Sequence, residues 1–255
     1  MIATDATAAA PSRVHGSAVP QHLLPARARN ARRVATAVLP FIVIAALATV
    51  LLRGPISGDA MMSYDLYVYF FPAKHLIRQA FLRGEWPLWN PDIFFGAPFL
   101  ANIQMAVLYP PDLIFLWPSF ARAVVASQWF HLIAGGAGFL WLARWGWGLG
   151  PWGATLGAIA FAGSGFFGAH MGHLNQVHAS TWLPWLALTT HRAAAAGSDV
   201  WRARAHQVVG GSLGMHALDA GDRVQSEVEA TRRLVRWVAA GAIATALLIT
   251  AGHTQ

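Results

Sequence analysis

The chain has 255 residues, 56% of them hydrophobic and only 11% charged, with a net charge of +7 and no cysteine. Charged residues make up about a quarter of an ordinary soluble domain, so this balance, with a mean hydropathy of +0.44, excludes that class. The absence of cysteine excludes disulfides and thiolate metal sites. The basic excess lies beside apolar runs, as in cytoplasmic loops of membrane proteins, which argues against a nucleic-acid partner.

Residues 1–33 are rich in Ala, Pro and Arg without apolar periodicity, and read as a disordered basic tail. Arg27, Arg29, Arg32 and Arg33 directly precede an uncharged run from Val34 to Leu52. That run is long enough to cross a hydrocarbon core about 30 Å thick. It is too long for a signal-peptide core and is followed by no small-residue cleavage site. The arginines predict a cytoplasmic N-terminus, which leaves residues 53–112 outside. This segment carries four basic residues and five acidic ones, in keeping with an external loop. Within it, Pro72 is placed to open a helix and Gly84 to close it. Ala73, Leu76, Ile77, Ala80 and Phe81 keep a helical period, with Lys74, Arg78 and Arg83 on other faces. An amphipathic helix lying in the membrane interface is expected there.

A second span is predicted at about 121–143, where Gly135, Gly136 and Gly138 permit close helix contact. A third is predicted at about 152–168. A fourth, about 179–190, is short and contains Pro184. The seven arginines between residues 191 and 236 mark a cytoplasmic, solvated loop, in which Val224, Val228, Thr231 and Val235 suggest a short amphipathic helix. A fifth span, about 237–251, returns the end of the chain to the outside. The predicted fold class is all-α, a polytopic helical bundle of about five spans with a large external first loop.

The order of motifs in that loop carries a resemblance. Asp65-Leu66 leads to Pro72, then come Gly84-Glu85-Trp86-Pro87-Leu88-Trp89-Asn90-Pro91, Gly96-Ala97-Pro98-Phe99-Leu100-Ala101-Asn102 with Gln104, and Tyr109-Pro110. Ser164-Gly165-Phe166, His170 with Gly172-His173-Leu174-Asn175, Trp182-Leu183-Pro184 and the terminal Ala251-Gly252-His253 with Gln255 continue it. Together they resemble the YfhO-like family of bacterial polytopic membrane proteins. The match covers about 59–190 and the last five residues. The resemblance implies a GT-C-class glycosyltransferase in the cytoplasmic membrane. Such an enzyme takes a sugar from a polyprenyl-phosphate carrier and hands it to a cell-envelope polymer outside, using a carboxylate of the first external loop. Residues 34–190 would form the GT-C-like region. The family's sequence continues past the position of Gln255 and residues 198–232 match nothing in it, so an N-terminal fragment is expected.

Sugar transfer from a lipid phosphate needs a base for the acceptor hydroxyl, stabilisation of the leaving phosphate, and a held donor. Asp65 occupies the family's carboxylate position and is the candidate base; without the resemblance it reads as a loop Asp bonding local amides. Asp59, in Ser57-Gly58-Asp59, is the alternative, against a turn role. Asp92 sits in a turn-like context, and Asp112 is placed to cap a following helix. Lys74, Arg78 and Arg122 are candidates for the lipid phosphate, against ordinary interface snorkelling. Trp86, Trp89, Tyr109 and Trp117 are candidates for a sugar-stacking platform, against an aromatic belt. Asn90, Gln104, His173 and Asn175 complete the expected substrate-binding set. His170, His173 and His178 have helical spacing that a divalent metal would suit, but no carboxylate lies near them in sequence. Expected partners are the lipid-linked sugar donor, membrane lipids and the envelope acceptor. The competing readings are a non-catalytic membrane scaffold or accessory protein, an inactive truncated remnant, and a transporter. The last is disfavoured because the distinctive residues lie in loops.

Overall fold

In a computed structural model the described residues are 26–59, 63–212 and 218–252. The chain divides into two units, Met1–Val38 and Leu39–Gln255. Most of the expected basic tail, and His253 and Gln255, lie outside the described residues. Residues 26–33 correct the tail reading where they are described: they already belong to helix α1, Ala26–Leu51.

Eight α-helices make up most of the described fold. After α1 come α2 (Arg53–Ser57), a π-helical turn (Leu66–Phe70) that runs into α3 (Phe71–Leu82), and a minimal antiparallel hairpin of β1 (Trp89–Asn90) and β2 (Ala97–Pro98). Two 3-10 helices, Ile103–Met105 and Pro110–Leu116, lead to α4 (Phe120–Trp141). Beyond it lie α5 (Pro151–Ala162), α6 (Gly165–His170), α7 (Leu174–Ser212) and α8 (Leu218–Thr250). Among the described residues three stretches are helical, long and apolar enough to cross a membrane: Val34–Leu51, Phe120–Gly146 and Val224–Thr250, with mean hydropathies of 2.6, 1.3 and 1.5.

The other two expected spans take different forms. The run 152–168 is broken at Gly163-Ser164 into α5 and α6, because Ser164 leaves the helical region (ψ 152°). The short run 179–190 is the first half of a 39-residue helix that carries Pro184 inside it. The basic segment 191–236 is not a loop. On its described residues it continues α7 and begins α8, and the two run antiparallel. Arg192 lies over the Trp237 ring, Gly197 faces Leu234, Arg204 pairs with Glu227 at 2.8 Å, and Arg233 reaches Asp199 at 3.6 Å. At 1.5 Å per residue a 39-residue helix is about 58 Å long, roughly twice a hydrocarbon core. The charged pairs gather in the half farther from Asn175.

The glycines of α4 act as expected. A Cβ on Gly136 would meet Ile44, and one on Gly138 would stand 2.5 Å from the Trp185 ring, whose Nε1 donates to the Ala134 carbonyl at 2.9 Å. These contacts let α1, α5 and α7 close on α4 around Ile44, Leu140, Ala143, Ala154 and Ala158.

The segment 63–119 is a folded cap at one end of these helices, called the loop end below. Phe71 packs on Phe120 at the start of α4, and Arg78 Nε donates to the Leu116 carbonyl at 3.0 Å. The cap has its own core of Ala73, Ile77, Phe99 and Met105, with Leu76 and Phe81 half-buried beside it. The expected apolar stripe of α3 is therefore real, but much of it faces the rest of the cap. Lys74 corrects the expectation that it lies on another face. Its side chain is 2% exposed.

Candidate functional site

Two polar constellations lie at the loop end. The first is open to solvent. Asp65, just ahead of the π-helical turn, sets its carboxylate against the residue before α7, and His173 Nε2 stands 2.9 Å from Asp65 Oδ2. Both side chains are about two-fifths exposed, Asp65 at 46% and His173 at 37%. A carboxylate beside an imidazole N–H holds one orientation, with its second oxygen free to accept a proton. His170 lies next to His173, ring centres 5.7 Å apart, and stacks on Phe166. A groove of about 900 Å³ begins one residue along from Asp65, at Leu66 and Tyr67. Asp59 and Arg122 line it with Val125 and Trp129, so it has a carboxylate, a cation and an apolar wall. A smaller hollow of about 320 Å³ adjoins His173, with Ser63 and Gly168 in its wall.

The second constellation is buried and joins five elements. Lys74 Nζ of α3 donates to the Met105 carbonyl at 2.7 Å and to Asp112 Oδ2. Asp112 Oδ1 lies 3.4 Å from His178 Nδ1 of α7, and neither atom makes a hydrogen bond among the described residues. His178 Nε2 meets Ser127 Oγ of α4 at 2.9 Å. One turn along α4, His131 Nδ1 bonds the Ser127 carbonyl at 2.6 Å, while its Nε2 meets the Tyr109 hydroxyl at 2.7 Å. Trp182 Nε1 donates to that same hydroxyl at 2.7 Å. The two imidazoles stack 3.9 Å apart at 13°.

The donor pattern fixes the tautomers by assignment. His131 must carry its proton on Nδ1 to donate to a carbonyl, so its Nε2 accepts from Tyr109. Ser127 then donates to His178 Nε2, and His178 points its Nδ1–H at Asp112. Trp182, Tyr109 and His131 thus form one run of bonds that ends on the Ser127 carbonyl, while the Ser127 hydroxyl bonds His178, whose Nδ1 stands 3.4 Å from the Asp112 carboxylate that Lys74 neutralises. Burial pushes the Asp112 carboxyl above its ordinary range, and the adjacent Lys74 ammonium pulls it back down. Burial also raises the Tyr109 phenol, which therefore stays a neutral donor.

Several expected roles are corrected by these contacts. Lys74 is committed to Asp112 and cannot reach a lipid phosphate. Asp112 is inside its 3-10 helix and bonds across to α3 rather than capping. Tyr109 is 1% exposed and belongs to the buried chain, not to a stacking platform with the exposed Trp86, Trp89 and Trp117. Asn90 is buried, and its carbonyl accepts from the Asp92 backbone N–H at 2.9 Å, a local turn bond. Asn175 is buried too, with its amide 3.5 Å from the Gly252 carbonyl. His178 is separated from His170 and His173 by its place in the buried chain, and among the described residues no three His, Cys, Asp or Glu side chains gather as a metal would need. Gln104 is exposed and accepts from the Tyr69 hydroxyl at 2.8 Å. Arg78 keeps its Nε on a backbone carbonyl. Arg122 lines the groove, as a phosphate ligand requires.

Sequence reasoning passed over Ser127, Gln128 and His131. The signal was present: an ionisable residue inside an apolar span is a functional-site candidate in itself. The i, i+4 spacing of Ser127 and His131 puts both on one helix face. Comparison with protein-family models, curated proteins and solved structures gives no match.

Proposed function

We propose that this chain is a membrane glycosyltransferase of the GT-C kind, or the N-terminal part of one. It transfers a sugar from a polyprenyl-phosphate carrier to a cell-envelope acceptor on the outer face of the bacterial cytoplasmic membrane. The observation that carries this reading is the Asp65–His173 pair standing beside a groove that holds both Arg122 and an apolar wall. A lipid-linked sugar phosphate has that same sequence of chemistries: an apolar tail, an anion and a polar sugar.

In this mechanism the acceptor hydroxyl attacks the anomeric carbon as the bond from that carbon to the phosphate oxygen breaks. Asp65 takes the hydroxyl proton, a task worth roughly 10²–10⁴ in rate. His173 holds the carboxylate in orientation by donating to its other oxygen. Arg122 faces the charge that develops on the leaving polyprenyl phosphate. The topology that goes with it has a cytoplasmic N-terminus and about five crossings. α5–α6 and the first half of α7 serve alongside the three long apolar stretches, and the arginines of the α7–α8 hairpin lie inside.

The test is transfer or release of labelled sugar from a panel of polyprenyl-phosphate hexoses and pentoses by the chain in proteoliposomes. Asp65→Asn is expected to abolish consumption of the donor while Asp92→Asn leaves it unchanged. Donor consumption that survives in Asp65→Asn removes Asp65 from the mechanism. No consumption of any donor by the unaltered chain would favour the scaffold reading.

A further inference from the structure

The hairpin between β1 and β2 ends in a tip whose geometry is costly and whose side chains find no partner among the described residues. Phe94 and Phe95 hold φ of +49° and +60°, and Gly96 follows at +108°. Three consecutive left-handed residues are rare, and for a bulky side chain such a φ is an outlier. The turn is locked from both sides. Gly96 N–H donates to the Ile93 carbonyl at 2.7 Å, and the Trp89 ring covers Gly96 so closely that a Cβ there would stand 2.6 Å from the ring. The consequence is that both phenyl rings are turned outward, Phe94 at 88% and Phe95 at 110% exposure. Trp86, Leu88 and Trp89 are each more than half exposed beside them.

The position of the hairpin selects its partner. β2 runs into Phe99 and Met105, which pack on α3, and the segment goes on to Tyr109, whose hydroxyl is tied to α4 and α7. The last turn of α8 closes against Ile103 and Gln104. The hairpin therefore leaves from the level at which α8, one of the long apolar helices, ends. An apolar tip flanked by tryptophans at that level matches the chemistry of the bilayer boundary, where amphipathic rings sit among headgroups with apolar groups just below. A sugar-binding platform would need polar groups converging on the rings, and Asn90 is turned inward to its own turn. Arg83 and Glu85 neutralise each other at 3.0 Å. Asp92 limits the depth, since its exposed carboxylate belongs in the headgroup layer.

We infer that the Phe94–Phe95 tip inserts into the acyl boundary of the membrane leaflet at the loop end and anchors the cap to the lipid surface. The inference rests on the membrane placement of the chain and not on sugar transfer.

Because the chain has no cysteine, single labels are clean. Phe95→Cys and Phe94→Cys, each carrying a polarity-sensitive nitrobenzoxadiazole probe, are compared with Ile243→Cys. Ile243 is a 63%-exposed position in the apolar part of α8. The full chains are reconstituted in phosphatidylethanolamine–phosphatidylglycerol vesicles, with nitroxide-labelled lipid or iodide as quencher. The expected result is blue-shifted emission at both tip positions, quenched about two-fold or more better by a headgroup-proximal nitroxide lipid than by iodide. A tip probe open to iodide, or shielded from both quenchers by a protein surface or a second copy, overturns the inference. Ile243 quenched by lipid in that same sample would show that the membrane placement itself stands. An Ile243 probe open to iodide would remove both.

Discussion

Replacing Lys74 by Met tests whether the buried chain is a linked unit or a set of incidental contacts. Met keeps the length and apolar stem of Lys but removes the ammonium that faces Asp112 Oδ2 and the Met105 carbonyl. Breaking a buried ion pair from one side costs about 3–5 kcal/mol, and an orphaned buried carbonyl about 1–3 kcal/mol. The two share one site and do not add, so the expected loss is about 3–5 kcal/mol. The pH dependence has a definite sign. Burial raises the Asp112 carboxyl, and removing Lys74 removes what pulls it down. Between the ordinary carboxylate pKa and the raised one, the native state binds a proton that the unfolded state does not. Stability is then fully present below the unfolded pKa and falls as pH rises through the folded one. The Lys74→Met defect should therefore shrink as pH is lowered toward 5. Adding Asp112→Leu removes the stranded charge and should recover most of the loss. Guanidinium unfolding of the detergent-solubilised chain, followed by its tryptophan fluorescence, reads all three variants. A Lys74→Met loss below 1 kcal/mol, or a double variant weaker than the single, would refute the reasoning.

Tyr109→Phe removes the hydroxyl that joins His131 to Trp182 and should cost about 1–3 kcal/mol in the same unfolding assay, whereas the exposed Tyr64→Phe should change nothing measurable. Gly252→Ala places a methyl group into the Ile103 carbonyl at a φ of +85°; at least about 1–3 kcal/mol is expected from the backbone alone, read as a lowered melting temperature, and an unchanged melting temperature would mean that this turn is not closely seated. His173→Gln keeps a donor for Asp65 but shortens the reach, so donor consumption should fall by less than in Asp65→Asn. Equal losses would make His173 more than a positioning residue.

The helices of this fold were legible where apolar length or punctuation spoke alone. The run from Val34, the glycine-rich α4, and the Pro72-to-Gly84 frame of α3 all emerged with nearly the expected limits. The failures share one cause. Reading charge as a mark of solvent puts Lys74 on an outer face and the arginines after residue 191 in a loop. In the folded chain Lys74 is held inside by Asp112, a partner 38 residues away, and the arginines ride on two helices that support each other side by side. Partners so distant in sequence leave no periodicity to read. The candidate base was legible only through motif order, and its imidazole neighbour only because His173 stands in another of those motifs. Tyr109 and Asn175 were noticed for their chemistry, but their burial depends on Trp182, His131 and Gly252, which no local pattern connects to them.

Gly252 seated beneath Ile103 has a consequence for how the protein is made. The cap emerges from the ribosome early, with Met105, Ala106 and Tyr109 already in place along the chain, yet part of the surface that buries Ala106 and Tyr109 is Ala251 and Leu247, near the end of α8. Tyr109 also waits for Trp182 and His131. Until α8 has been synthesised, the cap has an open underside, and Ala106 and Tyr109 are covered there only when Leu247 and Ala251 arrive. Assembly thus has a built-in order: a loop made early is completed by α8, a helix made long after it.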